Sequence, residues 1–154
     1  METKTYTTID RKGWPSGPWD GEPDKVQWPD EETGLPCLAV RHHRNGHWCG
    51  YVGVPPGHPL HGKDAGDVSF NVHWGVNFAE GCAPNADESR SICHVAAEGE
   101  PDHVWWFGFD CAHSGDAPPG EQMYRGTRYD DVYRTLDYVL RECKSLAAQI
   151  AEHA

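Results

Sequence analysis

A chain of 154 residues is the length of a single domain and can bury roughly 70% of its unfolded surface. Its formal net charge of −11 at pH 7 disfavours a nucleic-acid backbone or an anionic membrane as partner. No window approaches the ~18 consecutive apolar residues of a membrane span, and 17 Gly with 12 Pro argue against a helical bundle.

Met1–Tyr6 carries no apolar leader core, so a cytoplasmic protein with reduced thiols is expected from the six Cys, none of them in a CxxC pair. Residues 1–34 are rich in Pro, Gly, Trp and acid, and Trp14, Trp19 and Trp28 can dock rings on the body, so this stretch reads as an ordered arm wrapped around the domain. Residues 35–113 read as the sheet. Leu35–Val54 is a hairpin around Asn45-Gly46, and a two-residue turn would set Val40 opposite Tyr51 and His42 opposite Cys49. The loop Pro55–Lys63 follows. Asp67–Phe78 alternates, with Val68, Phe70, Val72 and Trp74 on one face and Ser69, Asn71, His73 and Gly75 on the other, which predicts a strand. Ile92–Val95 is a short strand candidate, and Val104–Phe109 a buried central one in which Trp105 and Trp106 point to opposite faces.

The last element is a helix predicted over 127–152. Thr127 and Asp130 fit a capping box, and Val132, Leu136, Val139, Leu140, Cys143, Leu146, Ala147 and Ile150 form an apolar stripe at helical spacing. The fold class that follows is α+β: one compact domain, an antiparallel or mixed sheet packed against one long C-terminal helix, with a Pro/Trp-rich N-terminal arm.

The apolar run at 104–109 ends abruptly in Asp110, Cys111, His113 and Asp116. Strand ends hold polar side chains rigidly at a core boundary, so a site is expected there. Cys111 and His113 share a face in an extended segment and, with His73 and Cys93-His94, could present three ligands to zinc. The irregular spacing favours the plainer reading of Cys93 and Cys111 as buried small apolar side chains, so no metal ligand and no cofactor is assigned. A hydrolase would draw on His73, His94, Asp110 and His113, since imidazoles near pKa ~6.5 suit proton transfer at a phosphodiester. A binding protein would stack a base on one of Trp48, Trp74, Trp105, Trp106 and Tyr51, with Trp74 and Trp105 taken as the site residues, each stack contributing ~1–3 kcal/mol. It would hold phosphate with His58 and Lys63 of the Gly/Pro loop, and His73, Asp110, His113 and Asp116 would complete its site.

Gly17-Pro18-Trp19, Thr33-Gly34-Leu35-Pro36-Cys37, Cys49–Val54, Gly57-His58-Pro59, Ile92-Cys93-His94 and Val104–His113 together resemble a family of small proteins encoded by tailed phages and prophages. The likeness runs from about residue 17 to the C-terminal helix. Where that family carries a Val-His-Gly-Gly-Leu-Thr-Phe type string, this chain has Val72-His73-Trp74-Gly75-Val76-Asn77-Phe78, with Trp in place of Gly beside His73. The resemblance implies a protein of the host bacterial cytoplasm that counters host defence. The expected activity is sequestration of a small nucleotide-derived immune signal of cyclic-nucleotide or ADP-ribose type, without turnover. The alternatives are a His/Asp-dependent phosphodiesterase acting on such a signal and an acidic inhibitor that binds a host protein. A homo-oligomer is also expected, since small proteins of this kind often pair through sheet edges or helices.

Overall fold

The computed structural model describes residues 1–121 and 130–154. Six strands form one fully antiparallel sheet in the order β1-β2-β3-β4-β6-β5. They are β1 (Lys4–Tyr6), β2 (Lys25–Pro29), β3 (Pro36–Arg41), β4 (Trp48–Val54), β5 (Phe78–Gly81) and β6 (Trp105–Asp110). One helix, α1 (Leu136–Ala151), packs on β4 and β3. The α+β class expected from the sequence, a sheet against one C-terminal helix, is the architecture found.

Alternation along the strands divides the sheet into two apolar faces. Cys37, Ala39, Trp48, Val52, Val54, Phe107 and Phe109 meet Val139, Cys143, Leu146, Ala147 and Ile150 of α1. These five helical residues are buried, and full burial of a large apolar side chain contributes about 1.5–3 kcal/mol. Gly50 makes the close approach of α1 workable. A Cβ there would lie 2.5 Å from the Phe109 ring and 2.9 Å from Cys143 Sγ. The other face carries Leu38, Tyr51 and Trp106, with Val104 beside them. It is covered not by a helix but by the loop between β5 and β6.

That loop explains why Ile92–Val95 is not a strand. Its backbone groups are taken by side chains of β2 instead of a neighbouring strand. Lys25 Nζ donates to the carbonyls of Glu88, Ser91 and Cys93, and Gln27 accepts from the Val95 amide at 2.8 Å. Likewise Val68, Phe70 and Val76 of the predicted 67–78 strand pack against the core, but Asn71 exchanges both backbone hydrogen bonds with the Gln149 side-chain amide of α1. Only Phe78 of that stretch enters a strand, β5.

Three further expectations are corrected. In the hairpin, Val40 pairs with Cys49 and Arg41 with Trp48, a shift of two that keeps every side chain on its expected face. Gly46, at φ +81°, closes a wider loop by donating to the His42 carbonyl, so no two-residue Asn-Gly turn forms. The helix begins at Leu136, not 127. Thr135 is its N-cap, accepting from the Tyr138 amide at 3.2 Å. Thr127 lies outside the described residues. Val132 is exposed and bridges to Asp116, its N–H donating to the Gly115 carbonyl, which withdraws it from any helix. The thiols are not all reduced: Cys82 and Cys93 form a disulfide, while Cys37, Cys49, Cys111 and Cys143 are free.

Residues 1–34, expected as an arm wrapped around the domain, supply β1 and β2 of the sheet. They also carry the acids of a buried charge network. Arg41, its side chain fully buried, reaches Asp24 through Nε at 3.2 Å and Glu22 through Nη2 at 3.2 Å. It donates to the Gly46 carbonyl at 2.7 Å and to Tyr133 Oη at 2.9 Å, and lies over the Trp48 ring at 4.3 Å. Glu22 in turn accepts from Tyr133 Oη and, at 2.6 Å, from the Leu136 amide at the start of α1. That places a carboxylate at the positive end of the helix dipole. Burial would raise the Asp24 carboxyl, but hydrogen bonds from Ile9, Arg11 and Thr8 hold it below the usual range. Removing one member of a buried ion network leaves an uncompensated charge and costs about 3–5 kcal/mol. Arg41→Ala should therefore lower the unfolding free energy by roughly that amount in urea titrations. A loss under about 1 kcal/mol would show that the network is not a stabilising element.

Candidate functional site

The end of β6 gathers most of the residues singled out at that point in the sequence. Asp110 is the last residue of the strand; one carboxylate oxygen accepts from Asn77 Nδ2 at 2.7 Å and the other from the Ala112 amide at 3.1 Å. The chain then turns, and the His113 amide donates to Asp116 at 3.0 Å. Asp116, with 1% of its side chain exposed, also accepts from His73 Nε2 at 2.9 Å and from Arg134 Nε at 2.9 Å. Burial alone would raise its pKa, yet the bonds from His73, Arg134 and the His113 amide outweigh that and hold the carboxyl below its ordinary range.

His73 is the buried centre of this cluster. With Nε2 on the Asp116 carboxylate, its Nδ1 faces Tyr138 Oη at 2.7 Å. The arrangement is a chain of contacts Tyr138–His73–Asp116–Arg134, and Tyr138 Oη also donates to Glu142 Oε1 at 3.3 Å. Both imidazole nitrogens are thereby engaged. Burial raises the Tyr138 hydroxyl, with Glu142 adding to it, so the phenol is held protonated and is not an activated nucleophile.

Trp74 shows why the predicted strand fails here. It adopts φ +58°, a conformation that favours glycine, in a turn closed by the Gly75 amide on the Val72 carbonyl. The turn sends His73 inward and Trp74 outward. The indole is 61% exposed and lies parallel to the His113 ring, with centroids 4.7 Å apart. His113 Nε2 is 3.0 Å from Asp110 Oδ1, off the line of a hydrogen bond.

The structure thus brings together His73, Trp74, Asp110, His113 and Asp116. It does not bring the others to them. His94 lies on the opposite sheet face, edge-on to Trp106 at 5.4 Å, and burial lowers its pKa. His58 accepts from the Leu60 amide through Nδ1, and Lys63 offers its carbonyl to Trp105 Nε1 at 2.9 Å. Among the described residues, no hydrogen bond or ring contact joins His58, Lys63 or Trp105 to the His73 cluster. Cys111 is buried in the core while His113 turns outward, so the pair does not face one metal. No group of three His, Cys, Asp or Glu among the described residues is arranged to hold a metal ion.

A cavity of about 630 Å³ lies elsewhere, on the sheet face away from α1, between the strands and the β5–β6 loop. Its floor is Val40, Cys49 and Tyr51 of the sheet. Its walls are Thr8, Ile9 and Asp10 from the arm, Asp24 and Arg41 from the buried charge network, His42 and His43 from the hairpin, and Ser89, Arg90 and Ile92 from the β5–β6 loop. Of these residues the sequence singled out Tyr51, as a ring able to stack a base; the others were not read as a site, because no motif spans segments so far apart. The Asn-Gly hairpin was the only available signal for the histidine wall. Next to the cavity, His42 stacks between His43 and His47, with centroids 5.0 and 4.8 Å apart.

Comparison of the chain with protein-family models, curated proteins and solved structures finds no match.

The histidine stack generates a pH dependence. His47 is buried, and burial followed by its neighbour His42 pushes its pKa down to about 4 from the ordinary 6.5. As pH falls through 6.5 the unfolded chain takes up this proton first, whereas the folded chain resists it until about pH 4. Stability is therefore complete above pH 6.5 and is lost progressively towards pH 4, by up to about 1.4 kcal/mol per pH unit. His42 and His58, both lowered mainly by burial, act in the same direction. Thermal unfolding at pH 7, 5.5 and 4.5 should show a falling midpoint, and His47→Gln should flatten the fall. An unchanged midpoint would contradict the buried neutral imidazole.

Proposed function

We propose that this protein is a binding protein for a small nucleotide-like ligand, held without turnover in the 630 Å³ cavity on the sheet face away from α1. The cavity is the observation that carries the reading. Its volume lies within the roughly 300–1,000 Å³ usual for small-molecule sites, and it combines an apolar floor with a few convergent polar groups. Tyr51 and Ile92 offer apolar surface to a base or ribose. Arg90, His42 and His43 stand on the walls as donors for phosphate, and Thr8 and Ser89 add hydroxyls. Asp10 and Asp24 also line the cavity, but Asp24 is paired with Arg11 and Arg41, so Arg90 and the wall donors remain to receive an anionic ligand despite the net charge of −11.

The geometry supports binding over hydrolysis. A general base needs a nitrogen free to reach its substrate. His73 has Asp116 on one nitrogen and Tyr138 on the other, and His94, assigned to the same hydrolytic set, lies on the other side of the sheet. The likeness to phage-encoded proteins makes nucleotide signals of bacterial immunity the first ligands to test, and sequestration in the host cytoplasm the role they would serve.

Incubation with cyclic dinucleotides and with ADP-ribose, followed by heat denaturation and mass analysis of the released small molecules, should return one of them intact. A cleaved product would replace the binding reading with the hydrolase. Arg90→Ala should weaken the retained ligand at least tenfold and Ile92→Trp should abolish its binding by filling the cavity. His73→Gln should leave affinity within about threefold. Loss of binding in His73→Gln alone would move the site to the His73 cluster.

A further inference from the structure

The wall of the cavity formed by Ser89, Arg90 and Ile92 belongs to a segment closed on itself by the Cys82–Cys93 disulfide, 11 residues apart in sequence. Within this ring the chain forms no strand or helix. Ile92 packs against the Leu38, Tyr51, Val104 and Trp106 cluster, and two polar attachments hold the ring to the rest of the domain. One is the ammonium of Lys25, buried among the carbonyls of Glu88, Ser91 and Cys93. The other is Arg90, which donates to the Thr8 carbonyl across the cavity mouth at 3.4 Å. Gln27 secures the chain just beyond the ring, at Val95. The two sulfurs differ in access: Cys82 is exposed, whereas Cys93 is buried, with 6% of its surface accessible.

We propose that the Cys82–Cys93 disulfide is a redox latch on this wall: a dithiol reductant opens the 83–92 segment and weakens the ligand held beneath it. The ligand arm of this proposal rests on the cavity being the binding site. A reductant thiolate attacks the exposed Cys82 sulfur. The Cys82–Cys93 bond breaks, and Cys93 leaves as a thiolate that takes up a proton. The second thiol of the reductant then attacks its own sulfur in the mixed disulfide and releases Cys82. Two electrons and two protons reach the protein, and the reductant leaves as a cyclic disulfide. Reduction removes the constraint that keeps the unstructured ring short. The Lys25 contacts remain but now act on a free loop. Burial draws the Lys25 pKa down to about 8, so at neutral pH it is still an ammonium and keeps the loop's base attached. The core face between sheet and α1 contains neither cysteine, so the device is local to the wall.

Hydrogen–deuterium exchange on the full-length protein, with and without dithiothreitol at pH 7, tests the latch. The 83–92 amides should exchange at least tenfold faster after reduction, while those of β3, β4 and α1 keep their rates. Cys82→Ser should exchange like the reduced protein in both conditions. Equal exchange of 83–92 in the two states overturns the proposal. So does a rise across β3, β4 and α1 together, which would make the bond a staple of the whole fold. Titration with ADP-ribose on the same samples should show at least fivefold weaker binding after reduction. Unchanged affinity with a mobile wall would overturn the gating step. Failure of ADP-ribose and cyclic dinucleotides to bind in either state, with the exchange difference intact, would overturn the ligand reading and leave the wall latch standing.

Discussion

The buried guanidinium of Arg41 is the point through which three separate parts of the chain are held in one geometry. It is anchored on β3, it pairs with Glu22 and Asp24 from the N-terminal residues, and it bonds Tyr133 just before α1. Glu22 passes the connection on to the first amide of the helix. A planar cation with five donors suits this role because its geometry dictates where each partner must sit. Arg41 occupies the helix-facing side of β3, so its charge is kept out of water and each partner is needed to offset that burial. The placement of β2 beside β3, and of α1 over β4, follows from it together with the apolar face.

Once β2 is fixed, its opposite face acts on the β5–β6 loop. Lys25 and Gln27 point away from the helix and bind backbone groups that would otherwise need a strand partner. The loop is thereby suspended over the sheet instead of added to it. The space left between its wall and Tyr51 is the cavity. A second consequence appears at the other end of the sheet. The turn after β6 places Asp116 where it meets His73 and Arg134, and this closes the His73 cluster into a chain of contacts. The His73 imidazole is thus engaged at both nitrogens, while the sheet face away from α1 retains a space lined by both donors and carboxylates.

Much of the fold was legible in the sequence because it depends on periodicity. The helical stripe from Leu136 to Ile150, the hairpin faces and the 105–109 run all follow from one side chain in two, or in three to four, being apolar. The failures share a different cause. The 68–77 and 92–95 segments have strand-like alternation, but Gln149, Lys25 and Gln27 supply their hydrogen-bond partners from side chains, which no local pattern reveals. Thr127 and Asp130 suggested a helix start, yet the bridge between Val132 and Asp116 takes the backbone elsewhere. The convergence of His73, Trp74, Asp110, His113 and Asp116 was readable as a strand end rich in polar groups. That His73 would be sealed by its partners was not, because Tyr138 and Arg134 come from a region distant in sequence. The cavity was invisible for the same reason: Thr8, His42, Tyr51 and Arg90 meet only in three dimensions.

The central claim is that ligand binding belongs to the sheet face away from α1 and not to the His73 cluster. Two-dimensional NMR during titration with ADP-ribose or a cyclic dinucleotide reads both faces at once. The account predicts shifts for the Ile92 and Val40 methyls, the Tyr51 ring and the His42 and His43 imidazoles, with the Trp74 indole N–H and the His73 ring unmoved. Shifts centred on Trp74, His73 and His113, with Ile92 and Tyr51 unchanged, would contradict it.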